Sequence, residues 1–224
     1  EYIVAQIEEV FPEHNIIDEE AGVIDKGSDT TWVVDPIDGT SNFAAGVPLY
    51  GTMIGVLHND TPVAGGIASP EFEEIITAES DAGAERNGEP VHVSAENQLQ
   101  NVLLSYGIDG HPEDPSRTQA ETAILKDLIL NIRNLRTSNA AYDIAQVAVG
   151  RYGAMLNQTS KIWDNVAQEA VITEAGGIYT DFWGEPIDYN DALQRADENF
   201  TFCAASPTLH RQIQQLLDEH RDLP

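Results

Sequence analysis

The sequence is poor in cysteine, in lysine and in long apolar runs. Cys203 is its only cysteine, which excludes an internal disulfide and a tetrahedral thiolate zinc site. No stretch approaches the roughly 18 to 20 consecutive apolar residues of a membrane-spanning helix, and no charged segment followed by an apolar one opens the chain as a signal peptide would. The expectation is a soluble, cytoplasmic protein with no membrane partner. Lysine occurs three times, at Lys26, Lys126 and Lys161, and only 11 basic residues stand against 38 acidic ones, for a formal net charge of −27. So negative a field argues against a nucleic-acid groove, which needs clustered Lys and Arg, and favours cations as partners. Self-repulsion of this size is relieved by screening, so the composition points to a halophilic chain working in concentrated salt.

What is present suffices for a core. The chain has 224 residues, 42% of them hydrophobic, enough for one compact unit. Ile3, Val4, Ile7, Val10 and Phe11 recur at helical spacing and stop at Pro12, which predicts a short opening helix. Strands are expected at 31–34, 50–58, 63–68 and 74–79, with Asn59-Asp60 and Asn87-Gly88 as turn residues, so residues 1–105 read as an α+β half with a largely antiparallel sheet. Residues 106–224 read as an α/β half, its pattern already setting in with a strand at 102–106. A helix at 117–130, a strand at 133–136, a helix at 140–149 and a strand at 153–156 follow. A helix at 165–174 closed by Gly176-Gly177, strands at 177–180 and 200–204 and a last helix to His220 complete it. The fold class is an α/β layered sandwich.

The chemistry concentrates in Asp35-Pro36-Ile37-Asp38-Gly39-Thr40-Ser41-Asn42-Phe43, directly after the buried strand. Proline after aspartate suits a tight turn that folds Asp38 back beside Asp35. Two adjacent carboxylates repel unless a cation sits between them. Oxygen-only ligands favour a hard divalent ion, Mg²⁺ before Mn²⁺, and such a turn exposes the Ile37 carbonyl as a further ligand. Gly39 and Thr40 would offer backbone N–H groups to a phosphate at a helix start. The spacing fails the EF-hand pattern. Such turns also occur in plain solvated loops, so the reading rests on company.

That company is Glu19-Glu20 upstream and Ile162-Trp163-Asp164-Asn165-Val166-Ala167 running into Thr173-Glu174-Ala175-Gly176-Gly177. With the three segments together, the chain resembles the inositol monophosphatase family, the lithium-sensitive sugar-phosphate phosphatases related to fructose-1,6-bisphosphatase, from residue 1 to about 205. The resemblance implies an enzyme, a phosphoric monoester hydrolase working by direct attack of a metal-activated water. It implies that Glu19, Asp35 and the Ile37 carbonyl hold one Mg²⁺ and that Asp35, Asp38 and Asp164 hold a second. Glu19 and Thr40 would activate and position the water, with Asp38 beside them in the catalytic set. The phosphate would rest on the Gly39 and Thr40 backbone, and Glu20 would stay outside the ligand set.

On the substrate side the resemblance implies contacts from Asp38, Gly39, Thr40, Asn139, Ala140, Asn157 and Asp164, but with departures. Ser138-Asn139-Ala140 stands where members have Gly-Ser-Ala or Gly-Thr-Ala, and Asn157 stands where many inositol phosphatases place a glutamate. The expected substrate is a small phosphorylated metabolite. In order, it is inositol 1-phosphate or a related sugar or polyol phosphate, with fructose 1,6-bisphosphate, then histidinol phosphate or 3′-phosphoadenosine 5′-phosphate. The reading of another class is a non-catalytic regulatory or scaffold protein that keeps the fold, against which the intact Glu19, Asp35, Asp38, Thr40 and Asp164 weigh. Members open with a long helix and a strand carrying a Thr-Asp pair that helps bind a third, weaker ion. Neither precedes Glu1, so two ions are expected and the third is left open. Relatives are commonly homodimers. The six histidines lack ligand spacing and are expected at the surface, Trp32 and Trp163 as core anchors, and Leu209, Ile213, Leu216 and Leu217 as the buried stripe of the last helix.

Overall fold

The computed structural model describes residues 2–221. The opening helix α1 (Tyr2–Val10) buries Val4 and Ile7 of the five positions its periodicity singled out, whereas Val10 and Phe11 are exposed. Eight strands then form one sheet: β1 (Asn15–Asp18), β2 (Gly22–Ile24), β3 (Thr30–Asp38), β4 (Gly51–His58), β5 (Thr61–Ser69), β6 (Glu74–Glu79), β7 (Gly83–Arg86) and β8 (Glu89–Val91), with the short helix α2 (Thr40–Ala44) between β3 and β4. Their order is β2-β1-β3-β4-β5-β6-β7-β8, antiparallel throughout except that β1 runs parallel to β3. Asn59 and Asp60 (φ 48° and 56°) make the two-residue turn between β4 and β5, and Asn87 and Gly88 (φ 52° and 82°) the one between β7 and β8. Left-handed values at both central positions give the turn whose twist matches paired strands. The strands β1, β2, β7 and β8 were not expected, being only three or four residues long.

Five strands form the second sheet: β9 (Leu103–Gly107), β10 (Asn134–Arg136), β11 (Ala154–Ser160), β12 (Ile178–Thr180) and β13 (Phe200–Ala205), in the order β10-β9-β11-β13-β12. Its helices are α3 (Pro115–Asn131), α4 (Ala141–Ala148), α5 (Ile162–Glu174) and α6 (Pro207–Leu217). The layers follow from which side chains meet. Met53, Ile67 and Ile76 of the first sheet pack through Ile144 of α4 and Val171 of α5 onto Phe202 of the second. Ile124 and Leu128 of α3 and Leu209 and Ile213 of α6 cover the far face of the second sheet over Leu104 and Leu156. Val4 and Ile7 of α1 lie on Ile16 and Val34, on the outer face of the first. The result is the expected layered sandwich, helix on sheet on helix on sheet on helix, with α4 and α5 shared by both sheets.

Two histidines depart from the surface placement expected for them. His210 and His220 are buried, with Nε2 2.8 Å from Thr180 Oγ1 and 2.8 Å from Asp127 Oδ2 respectively. An imidazole can bury its ring where one nitrogen finds a partner, and each does so here. Among the described residues no helix is long and apolar enough to cross a membrane.

Candidate active site

The Asp35-Pro36-Ile37-Asp38 segment is not the tight turn expected. Strand β3 continues through it to Asp38, which still pairs with Gly51, and the register slips between Asp35 and Asp38. The reason lies in Pro36: having no N–H, it cannot donate to the ladder and is tolerated where a bulge interrupts it. The bulge is held by Thr52 Oγ1 donating to the Pro36 carbonyl (2.8 Å) and by the Ile37 N–H donating to Asp35 Oδ1 (3.0 Å). Its effect matches that ascribed to the turn, since Asp35 and Asp38 face one point. The Ile37 carbonyl accepts from Thr40 Oγ1 at 2.9 Å, which fixes that hydroxyl over the bulge.

Glu19 reaches the same point by strand pairing. Parallel register sets Asp18 of β1 opposite Val34 of β3, and the Glu19 N–H donates to the Val34 carbonyl at 3.1 Å, beside Asp35. Buried Asp18 caps this corner by accepting from the Glu20 and Ala21 N–H groups at 3.0 and 2.7 Å. Its role went unread in the sequence, although an aspartate ending a strand before a turn is a usual sign of such a cap. Asp164 arrives on α5, which begins at Ile162, three residues earlier than expected. Asp164 therefore lies in the first turn, and its Oδ2 accepts from the Lys161 N–H at 2.6 Å. Asp35, Asp38 and Asp164 each bring one carboxylate oxygen to within 4.8 Å of the others.

Electrostatics show how unfavourable this cluster is by itself. Burial, then the charges of Asp38, Asp164 and Glu19, push the Asp35 carboxyl up to about 10. Asp38 is driven well above its ordinary value by burial and then by Asp164. Asp164 rises to about 6, burial outweighing the Lys161 N–H that favours its charge. Glu19 rises too, through partial burial first and then the charges of Glu20 and Asp18, against a lowering hydrogen bond with Asp35. Glu20 is exposed and outside the cluster. Groups so placed either share protons or share a cation.

The acids open onto two adjoining cavities. One, of about 160 Å³, is lined by Glu19, Asp35, Ile37, Gly39 and Thr40; the other, of about 80 Å³, by Asn139, Ala140, Met155 and Asn157. Asp38, Thr159, Ser160 and Asp164 line both. All of the residues named from the sequence are thus at one place. A larger hollow of about 510 Å³ under Trp32, on the outer face of the first sheet, has no such convergence of carboxylates.

The expected phosphate cradle differs in form. Helix α2 is only five residues long, so it brings little helix dipole. Gly39 precedes it at φ 84°, and a Cβ there would lie 2.9 Å from the Ala140 Cβ and 3.0 Å from the Leu49 carbonyl, so glycine is needed for the close approach of the two halves. The Ala141 N–H donates to Asp38 Oδ2 across that approach. Asp143, also unread in the sequence, fixes the start of α4 by accepting from Ser138 Oγ (3.0 Å) and the Ala140 N–H (3.2 Å). An acid three residues into a helix is the usual sign of such a cap. Thr159 and Ser160 carried no signal that composition or spacing exposes.

The comparisons with known proteins agree with this geometry. Residues 1–221 match the Inositol monophosphatase family. The chain belongs to that family. Membership makes it a phosphomonoesterase. It is 29% identical over 218 residues to the fructose-1,6-bisphosphatase/inositol-1-monophosphatase of Aquifex aeolicus, covering 95% of this chain and 76% of that protein. It is 31% identical over 216 residues to a Nus factor SuhB of Xylella fastidiosa, covering 96% and 77%. The solved inositol monophosphatase of Anabaena superposes with a TM-score of 0.86 at 29% identity, over 99% of this chain and 84% of that one.

Proposed function

We propose that the chain hydrolyses a small phosphomonoester, inositol 1-phosphate or a related sugar or polyol phosphate including fructose 1,6-bisphosphate, with Mg²⁺ bound among Glu19, Asp35, Asp38 and Asp164. The supporting observation is the convergence of carboxylate oxygens of Asp35, Asp38 and Asp164 to within 4.8 Å of one another where they line the larger cavity; the charge of Lys161, in the same lining, favours ionised Asp164, yet burial and repulsion among the acids still raise all three carboxyls. The residues fit the ion: all donors are oxygens, as a hard divalent cation requires. Glu19, Asp35 and the Ile37 carbonyl would hold one ion and Asp35, Asp38 and Asp164 a second. The carbonyl retains a lone pair beyond the one that Thr40 Oγ1 uses. Bound there, divalent ions would make a water acidic and neutralise charge on the phosphoryl oxygens. Glu19 is placed to take a proton from a water in the larger cavity, and Thr40 to hold that water by its hydroxyl. Gly39 and Thr40, in the lining of the larger cavity, would face the phosphate, and Asn139, Ala140 and Asn157, in that of the smaller, would take the leaving group. A cytoplasmic homodimer remains part of the proposal.

The test is Asp164→Asn, which removes a charge from α5 at almost constant volume. Changes around bound metals cost roughly 10-fold to 100-fold in affinity or activity, and losing a direct ligand reaches at least that. We expect kcat to fall and the Mg²⁺ midpoint to rise accordingly. An unchanged kcat with an unchanged midpoint would remove Asp164 from the site. Relatives named Nus factor SuhB support a second reading, a regulatory protein that keeps the fold. Absence of any Mg²⁺-dependent phosphate release by the unmutated chain would favour it.

A further inference from the structure

Behind the smaller cavity, α3 carries a buried carboxylate that the proposed chemistry does not use. Glu121 is 2% exposed. His111 Nε2 at 3.0 Å and Arg117 Nε at 3.2 Å converge on its Oε1, while its Oε2 has no partner among the described residues. Arg117 then reaches the end of β11, where its Nη2 donates to the Gln158 carbonyl at 3.0 Å and to Thr159 Oγ1 at 3.2 Å. Thr159 lines both cavities.

From Thr159 a chain of hydrogen bonds runs along the wall of the smaller cavity. Its N–H donates to Asn157 Oδ1 at 2.7 Å, and Asn157 Nδ2 donates to Asn139 Oδ1 at 2.8 Å. The directions are forced, because a backbone N–H can only donate. Asn157 must therefore turn its oxygen to Thr159 and its nitrogen to Asn139, which in turn points its oxygen back. Each amide oxygen has one accepted bond fixed in this way, and the N–H groups left free for a ligand are those of Asn139 Nδ2 and the second hydrogen of Asn157 Nδ2. Both amides lie directly over Gly107, where a Cβ would come 2.3 Å from Asn139 Oδ1 and 2.8 Å from Asn157 Nδ2, so the pair needs glycine there.

We propose that Arg117, held by the buried Glu121, is a positioning residue for the leaving group: it fixes residues 157–159 so that Asn157 and Asn139 hold their free N–H groups toward the oxygens of a hydroxylated leaving group. This rests on the phosphomonoesterase reading and deepens it. Arg117 acts through Thr159 and leaves the acid cluster untouched. Leaving groups that carry oxygen acceptors gain from it, and leaving groups without them do not.

The test compares two substrates in Mg²⁺: inositol 1-phosphate, and phenyl phosphate, whose leaving group has no oxygen beyond the ester oxygen to offer at that wall. For Arg117→Met we expect KM for inositol 1-phosphate to rise about tenfold or more, with kcat within about threefold and an unchanged Mg²⁺ midpoint. KM for phenyl phosphate should move by less than about twofold. Arg117→Lys, which keeps one charged donor, should recover part of the loss. Glu121→Gln, nearly isosteric in its buried place, should shift the same ratio in the same direction by less, and it carries the test if Arg117→Met fails to fold. An equal rise in KM for both substrates, or no rise for either in a folded variant, would overturn the proposal by reducing Arg117 to a structural tie. Lack of Mg²⁺-dependent turnover of both substrates by the unmutated protein would instead overturn the underlying reading, and this proposal with it.

Discussion

Glu169, on α5 and away from the metal cluster, supports a quantitative test of how much strain the central helix carries. Its Oε2 accepts from the hydroxyl of buried Tyr189 at 2.7 Å, yet burial outweighs that bond and raises its carboxyl to about 7 from 4.5. A carboxyl raised on folding favours the folded state while both states are protonated, below about 4.5. That contribution is lost as pH rises through about 7. At about 1.4 kcal/mol for each pKa unit, ionised Glu169 costs up to about 3 kcal/mol at pH 8. Glu169→Gln keeps the volume and an oxygen for Tyr189, and removes the ionisation. The variant should match the parent near pH 4.5 and exceed its Tm by up to roughly 6 to 12 °C at pH 8, at about 2 to 4 °C for each kcal/mol in a chain of this size. Differential scanning calorimetry of both proteins in one concentrated KCl background, from pH 4.5 to 8.5, reads this difference and cancels the charge effects they share. A difference independent of pH, or a variant less stable at pH 8, would refute the reasoning.

Three further outcomes follow. Gly39→Ala puts a side chain at φ 84°, 2.9 Å from Ala140, and should lower stability by about 1 to 2 kcal/mol with a rise in KM; unaltered melting and kinetics would count against the close approach. Circular dichroism across a KCl series should show structure lost in dilute buffer and regained near molar salt, given the net charge of −27, and a flat response would end the halophile reading without touching the phosphatase one. Li⁺ should inhibit at millimolar concentration against KCl of matched ionic strength, as the family resemblance implies; full activity at high Li⁺ would argue against the proposed second metal position.

The legible parts of this chain are those where one local pattern has one physical reading. The periodic stripes of α1 and α6, the Asn-containing turns after β4 and β7 and the buried Thr31 to Val34 run each say what they become. The acid cluster was legible through its motifs, because Glu19, Asp35, Asp38 and Asp164 sit in recognisable company. What failed were features settled by partners remote in sequence. Strands β7 and β8 are too short to signal alone and exist because the sheet extends to them. The geometry at Asp35 was read as a turn, since Asp-Pro favours turns locally, but pairing with β4 carries the strand through as a bulge. His210 and His220 are buried because Thr180 and Asp127 await them. Thr159 and Arg117 meet only after α3 is laid against β11.

The acids of this protein form two populations that salt treats differently. Exposed carboxylates repel through water, and that repulsion fades as the screening length falls from about 10 Å at 0.1 M to about 3 Å at 1 M. Asp35 is buried and its neighbours face a cavity of about 160 Å³, so the diffuse ion atmosphere does not enter between them. Their repulsion is relieved only by protons or by a cation held directly on their oxygens. On the proposed reading, concentrated KCl would therefore restore the fold without completing the site, and the divalent ion would be a separate requirement at any ionic strength. Bulge, strand pairing and helix start are thus set against the preference of the four acids to separate. The surrounding structure holds them together because α5 and β3 are packed by Val166, Ile162 and Val33, at the junction where Asp164 meets Asp35.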